Sequence, residues 1–165
     1  MSILLTMKLN NNQKDIVILC VGTTSVVGDS LGPKVGDLLI NNYDINAFVY
    51  GSTLRPVNGL NYADYLSFVR KHHKESLIIA IDACLGDKKE IGKVKYTLNG
   101  LRAGAALDKN LETIGDLAIL GIVAKKSSNN FDALSLASLA TIELLSKKIA
   151  LSVFHITKIL SKNIN

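Results

Sequence analysis

The chain has no tryptophan, two prolines, two cysteines and three histidines. Each scarcity removes a class of protein. Two cysteines cannot build a disulfide framework. Cys20 and Cys84 both lie in apolar runs, which reads as reduced, buried thiols in a cytosolic protein. Twelve glycines and two prolines in 165 residues exclude collagen-like and low-complexity chains. No uncharged apolar run is long enough to span a bilayer. The opening Met1-Ser-Ile-Leu-Leu-Thr-Met-Lys8 has too short an apolar stretch, and no preceding charge, for a secretory signal. A cytoplasmic protein with no membrane partner is expected.

What is present suits one globular domain over residues 1–165, with 1–12 flexible or dispensable. Hydrophobic residues make up 48% and charged residues 20%. The net charge is +5 and the pI about 9.2. The lysines come as dispersed pairs: Lys88-Lys89, Lys93/Lys95, Lys125-Lys126, Lys147-Lys148 and Lys158/Lys162. They are not concentrated on one element or interleaved with aromatics. They read as a solvated surface, and no direct nucleic-acid contact is expected.

Asp15-Ile-Val-Ile-Leu-Cys-Val-Gly22 is short, apolar and β-branched, the pattern of a strand buried on both faces. Residues 23–28 form a loop of small side chains. Leu31, Val35, Leu38 and Leu39 then recur at helical spacing, and Pro33 requires a helix start between Asp29 and Pro33. Residues 46–51 read as a second strand, and residues 53–58 as a loop carrying Arg55-Pro56. Residues 60–73 read as a helix ending in cations. Ser76-Leu-Ile-Ile-Ala-Ile-Asp-Ala83 is the clearest buried strand. Residues 92–98 alternate as a half-exposed edge strand, and 99–113 read as a polar loop. Residues 116–124 form another buried strand, and 131–162 one core helix or two. Strands alternating with helices predict an α/β domain with a mostly parallel sheet.

Ligands of such sheets sit beyond the carboxyl ends of the strands. Asp29 follows the first strand, in Gly28-Asp-Ser-Leu-Gly-Pro33, and Asp82 ends the most buried one, in Ile78-Ile-Ala-Ile-Asp-Ala-Cys-Leu-Gly86. On adjacent strands the two would share a crevice. One carboxylate can take a proton from water while its protonated neighbour donates one, which suits amide hydrolysis without a covalent intermediate. The helix dipole favours Asp29 as base and leaves Asp82 as acid. The plain structural alternative is a helix cap for Asp29 or Ser30 and a strand-end contact for Asp82.

Other motifs fall short. Gly28-Asp29-Ser30-Leu31 spells the signature of the GDSL esterases, whose serine is a nucleophile. That family needs an Asp-x-x-His pair, and the residues three before His72, His73 and His155 are Val69, Arg70 and Ser152. The Gly22–Gly32 loop matches neither nucleotide-binding glycine pattern. A metal usually wants His or Cys beside the acids. Cys84 follows Asp82 by two residues, but its simplest reading is a core thiol. His72-His73 at a basic helix end reads as a solvated cap. His155 reads as an ordinary helix histidine. Neither metal nor cofactor is expected.

Five blocks together carry a resemblance: Cys20-Val-Gly-Thr-Thr-Ser-Val-Val-Gly-Asp-Ser-Leu-Gly-Pro33; Gly51-Ser-Thr-Leu-Arg-Pro-Val57; Ile79-Ala-Ile-Asp-Ala-Cys-Leu-Gly86; residues 104–109; and Ile114-Gly-Asp-Leu-Ala-Ile-Leu-Gly-Ile-Val123. In this order they resemble the YyaC-type sporulation proteins, short relatives of the germination protease of spore-forming bacteria. The resemblance implies a three-layer α/β/α sandwich with a mostly parallel sheet, phosphorylase/hydrolase-like, shared with hydrogenase-maturation peptidases. It implies a peptidase with catalytic Asp29 and Asp82, and substrate contacts from Ser30, Thr53, Arg55, Cys84 and Gly104. Its partners would be proteins, small acid-soluble spore proteins among them, in the forespore or mother cell; a homo-oligomer is compatible. A non-catalytic sporulation or germination factor on the same scaffold is the alternative. The germination protease is longer, and its Pro-Gly-x-Gly-Val loop corresponds here to Arg102-Ala-Gly-Ala-Ala106. Hydrogenase-maturation peptidases use two acids plus a histidine to sense nickel. No histidine lies between His73 and His155, which disfavours that role.

Overall fold

The computed structural model describes residues 13–98, 100–102 and 113–164. The strand β1 (Asp15–Cys20) sends Ile16, Ile18 and Cys20 into one apolar cluster and Val17 and Leu19, with Val21 just beyond it, into another. Such two-sided burial requires cover on both faces, and the helices supply it. On the first face lie α1 (Leu31–Asn42), with Leu31, Val35 and Leu39, and the long α4 (Leu139–Ile164), with Ile142, Leu145, Ile149 and Val153. On the second lies α2 (Tyr62–His72), with Tyr62, Leu66 and Val69.

The sheet order is β2-β1-β3-β7-β4, where β2 is Phe48–Tyr50, β3 Ser76–Gly86, β4 Val94–Thr97 and β7 Leu117–Lys125. The first four strands run parallel and β4 pairs antiparallel to β7, at the edge, as its alternating sequence predicts. The architecture is the expected α/β/α sandwich.

Two details differ from the sequence reading and a third resolves an alternative it left open. The span read as a loop contains β5 (Leu101–Arg102) and β6 (Thr113–Ile114), a two-stranded ribbon whose Leu101 and Ile114 seal the α2 face. Two-residue strands carry too little periodicity to be seen in sequence. Of the one or two helices the last span allowed, the structure has two, α3 (Asn130–Ser135) and α4, broken at 136–138. The side chain of Asn129 caps α3 by accepting from the N–H groups of Phe131 and Asp132. Finally, β3 continues four residues past Asp82, because β7 goes on pairing with it.

Candidate active site at the carboxyl end of the sheet

The strands that carry the two acids are neighbours: β1 and β3 pair in parallel from Asp15↔Ser76 to Cys20↔Ile81. The N–H of Val21 extends the ladder by donating to the Ile81 carbonyl at 2.8 Å. Asp82 is therefore the first residue of β3 beyond its pairing with β1. The chain then turns. The N–H of Gly22 donates to the Val57 carbonyl at 2.8 Å, and Gly22 has φ +144°. The N–H of Thr23 donates both to the Asp29 carbonyl at 3.1 Å and to the Asp29 carboxylate Oδ2 at 3.0 Å.

That bifurcated hydrogen bond ties the Gly28–Ser30 turn back over the end of β1, where it packs against β3. The glycines of the motif make this approach sterically open. A Cβ on Gly22 would lie 2.0 Å from the Asp29 carbonyl oxygen, and one on Gly32 would lie 2.0 Å from that of Val21. Pro33 falls in the first turn of α1, where its missing N–H costs nothing.

Asp29 is half-buried and held by Thr23, not by a helix-capping bond. Asp82 is 6% exposed, and its Oδ1 accepts the N–H of Ala83 at 2.8 Å. It shares its sheet face with Ala80 and Ala118, the α2 side. In register it stands beside Leu120 of β7, which in turn stands beside Lys95 of β4. Asp82 and Lys95 thus occupy one row of one face, two strands apart.

Ser30 is buried, and its hydroxyl donates to the Val27 carbonyl at 2.6 Å, closing the turn. His72 and His73 lie at the end of α2, at the amino end of β3, where His73 meets the Tyr50 hydroxyl at 2.8 Å. No histidine stands behind Ser30 among the described residues, so the esterase signature lacks its base. Thr53 is clamped to α1: its N–H and hydroxyl donate to the two carboxylate oxygens of Asp37, at 3.1 and 2.6 Å. Arg55 is exposed and lines a groove with Ile40, Tyr50, Asp64, Tyr65 and Phe68, on the β2 side of the sheet. A second concavity opens at the amino end of β1, beside Lys14 and Asp15. Neither concavity is lined by Asp29 or Asp82. Gly104 lies outside the described residues.

Cys84 is half-buried rather than fully buried, next to a register shift between Cys84 and Leu85. Burial pushes its thiol up to about 11, with Lys95 pulling down and Asp82 pushing up. Cys20 is fully buried, and its thiol is driven far above the ordinary range, mainly by burial and then by Asp37. Both cysteines are unbridged.

Among the described residues no three His, Cys, Asp or Glu side chains converge as metal ligands.

Two partners of this region escaped the sequence. Thr23 is an unremarkable loop residue until the turn brings it to Asp29. Asp37 is a helix acid sixteen residues from Thr53, a spacing with no local signal.

The fold is that of the hydrogenase maturation proteases. The [NiFe] hydrogenase maturation protease HycI from Thermococcus kodakarensis KOD1 superposes with a TM-score of 0.62 over 93% of this chain and 99% of its own, at 15% identity. HybD from Thermococcus kodakarensis gives a TM-score of 0.53 over 87% and 99%, at 18% identity. At such identities the likeness is one of fold. The sequence is more particular: residues 1–152 match the family described as "Protein of unknown function (DUF1256)", and the chain belongs to that family. YyaC of Bacillus subtilis (strain 168), described as an uncharacterized protein, is 42% identical over 110 residues, 67% of this chain and 54% of YyaC. The chain spans about half the length of that relative.

Proposed function

We propose that this protein is a peptidase that hydrolyses an amide bond of a protein substrate with a water activated between Asp29 and Asp82, in the service of sporulation or germination. The observation that carries the reading is the placement of two acids at the carboxyl ends of adjacent parallel strands, in a fold shared with proteins named as proteases. Asp29, half-buried beside the Thr23 N–H, is assigned the base, and the more deeply buried Asp82 the acid. Asp29 takes a proton from water as the water oxygen attacks the carbonyl carbon. Asp82 gives its proton to the carbonyl oxygen. When the tetrahedral intermediate collapses, the C–N bond breaks, the proton on Asp29 passes to the departing amine, and one hydroxyl of the former carbonyl carbon returns its proton to Asp82, leaving a carboxylic acid product and both aspartates as they began.

Of the residues assigned to substrate contact, Arg55 reaches solvent. Ser30 and Thr53 hold the two loops that flank the site, and Cys84 follows Asp82 along β3. A second reading, a non-catalytic factor binding a protein partner, draws on the low exposure of Asp82 and on the groove beside Arg55.

The test is incubation of the purified protein with small acid-soluble spore proteins, followed by mass spectrometry. Discrete fragments from the wild type, absent with Asp29→Asn and with Asp82→Asn, support the peptidase. Intact substrate throughout, with partner binding unaffected by either substitution, supports the binding factor.

A further inference from the structure

The lysine pairs that look dispersed in sequence converge in space. The backbone N–H of Lys126 donates to the Gly86 carbonyl at 3.0 Å, and that of Gly92 to the Ile122 carbonyl at 2.9 Å. The N–H of Ile122 donates to the Lys93 carbonyl at 3.0 Å. These bonds gather the end of β3, the Lys88–Glu90 turn, the start of β4 and the end of β7 into one corner at the carboxyl end of the sheet. Lys88, Lys89, Lys93, Lys95, Lys125 and Lys126 all stand exposed there, six of the 19 basic residues.

The acids of these segments are Asp87 and Glu90, and both are engaged locally. Asp87 caps the turn by accepting the backbone N–H of Glu90. Glu90 accepts the N–H of Asp87 at 3.1 Å and pairs with Lys95 at 3.3 Å. Those contacts, the Asp87 N–H first, hold the Glu90 carboxyl below its usual range. The corner is strongly positive.

Protection of an open sheet edge would explain Lys95 on β4 and Lys93 immediately before it. It does not explain Lys88, Lys89, Lys125 and Lys126, which lie outside that strand.

We propose that this corner is a docking surface for an acidic polypeptide segment of a partner protein. Three observations choose polypeptide over nucleic acid. Among the described residues the corner's cations are all lysines, which lack the planar forks that suit phosphates. Its apolar residues are Ile91 and Tyr96, each 37% exposed, set among the cations as an acidic peptide with apolar side chains requires. Lastly, β3 leads from Asp82 through Cys84 straight into the corner, and Lys95 shares a row with Asp82. A segment held there is steered by charge to the end of the sheet where both acids lie. The surface stands whether or not the acids hydrolyse anything.

The experiment is fluorescence anisotropy with a labelled glutamate-rich peptide, its glutamine counterpart and a single-stranded DNA oligonucleotide, in wild-type and Asp82→Asn backgrounds. The corner variant carries Lys88→Gln, Lys89→Gln, Lys93→Gln, Lys125→Gln and Lys126→Gln. The charge-matched control carries Lys71→Gln, Lys74→Gln, Lys147→Gln, Lys148→Gln and Lys158→Gln, all exposed elsewhere. The acidic peptide should bind wild type and Asp82→Asn alike, weaken with salt, lose about tenfold or more in the corner variant, and be unaffected in the control. Arginine at the five corner positions should restore it. Equal losses in both variants, tighter DNA binding through the same lysines, or no binding of the acidic peptide to wild type would overturn the proposal. A protein that binds the peptide but cleaves nothing would overturn only the peptidase reading.

Discussion

Gly22 is the residue on which the geometry of Asp29 turns. Any side chain there meets the Asp29 carbonyl, and φ +144° strains any other residue. Gly22→Ala should lower stability by about 3 kcal/mol or more, measured as a shift in the urea midpoint. A loss under about 1 kcal/mol would mean the turn rebuilds at little cost. Cys84 offers a second test. Its thiol titrates at about 11 in the folded chain and near 9.0 when unburied. The folded state therefore keeps a proton that the unfolded state gives up. Stability from this group is whole below pH 9 and is lost as pH rises through 9 to 11. The difference in urea midpoint between wild type and Cys84→Ala should shrink across that window. Alkylation of Cys84 at pH 8 should run at about a hundredth of the rate of an ordinary thiol, followed by mass spectrometry.

At the level of elements, the join between β3 and β7 depends on one side chain. The Asp116 carboxylate Oδ2 accepts the N–H of Ile78 at 2.9 Å, and the N–H of Asp116 donates to the Ile78 carbonyl at 2.8 Å. The pair begins the ladder one rung before Ile79↔Leu117. Asp116→Ala leaves the Ile78 N–H without its acceptor and should cost about 1–3 kcal/mol. Asp116→Asn, which keeps an oxygen there, should retain most of the stability in the same denaturation assay. The buried strands and α1 were legible because burial on two faces demands continuous apolar runs, and Pro33 confines the helix start. The ribbon of Leu101 and Ile114 was not, because its strands are defined by each other and by the α2 face. The place of the break before α4 was left open, because the apolar Leu136 and Ala137 carry no stop signal.

Over the whole molecule, the two apolar clusters share one sheet, so neither can melt alone. Leu39 is fully buried on the α1 side and Leu66 is 4% exposed on the α2 side. Leu39→Ala and Leu66→Ala should each cost about 2–5 kcal/mol. Both should shift the same transition, with tyrosine fluorescence and far-ultraviolet circular dichroism coincident. Two separate transitions would contradict a common core. The α/β class, the edge position of β4 and the candidacy of Asp29 and Asp82 all followed from the sequence alone, since periodicity and strand ends are local properties of the chain. Which strands adjoin is a long-range matter of pairing. Only the tertiary structure could set Asp82 beside the end of β1, tie Thr23 to Asp29, and bring three separate lysine pairs to one corner.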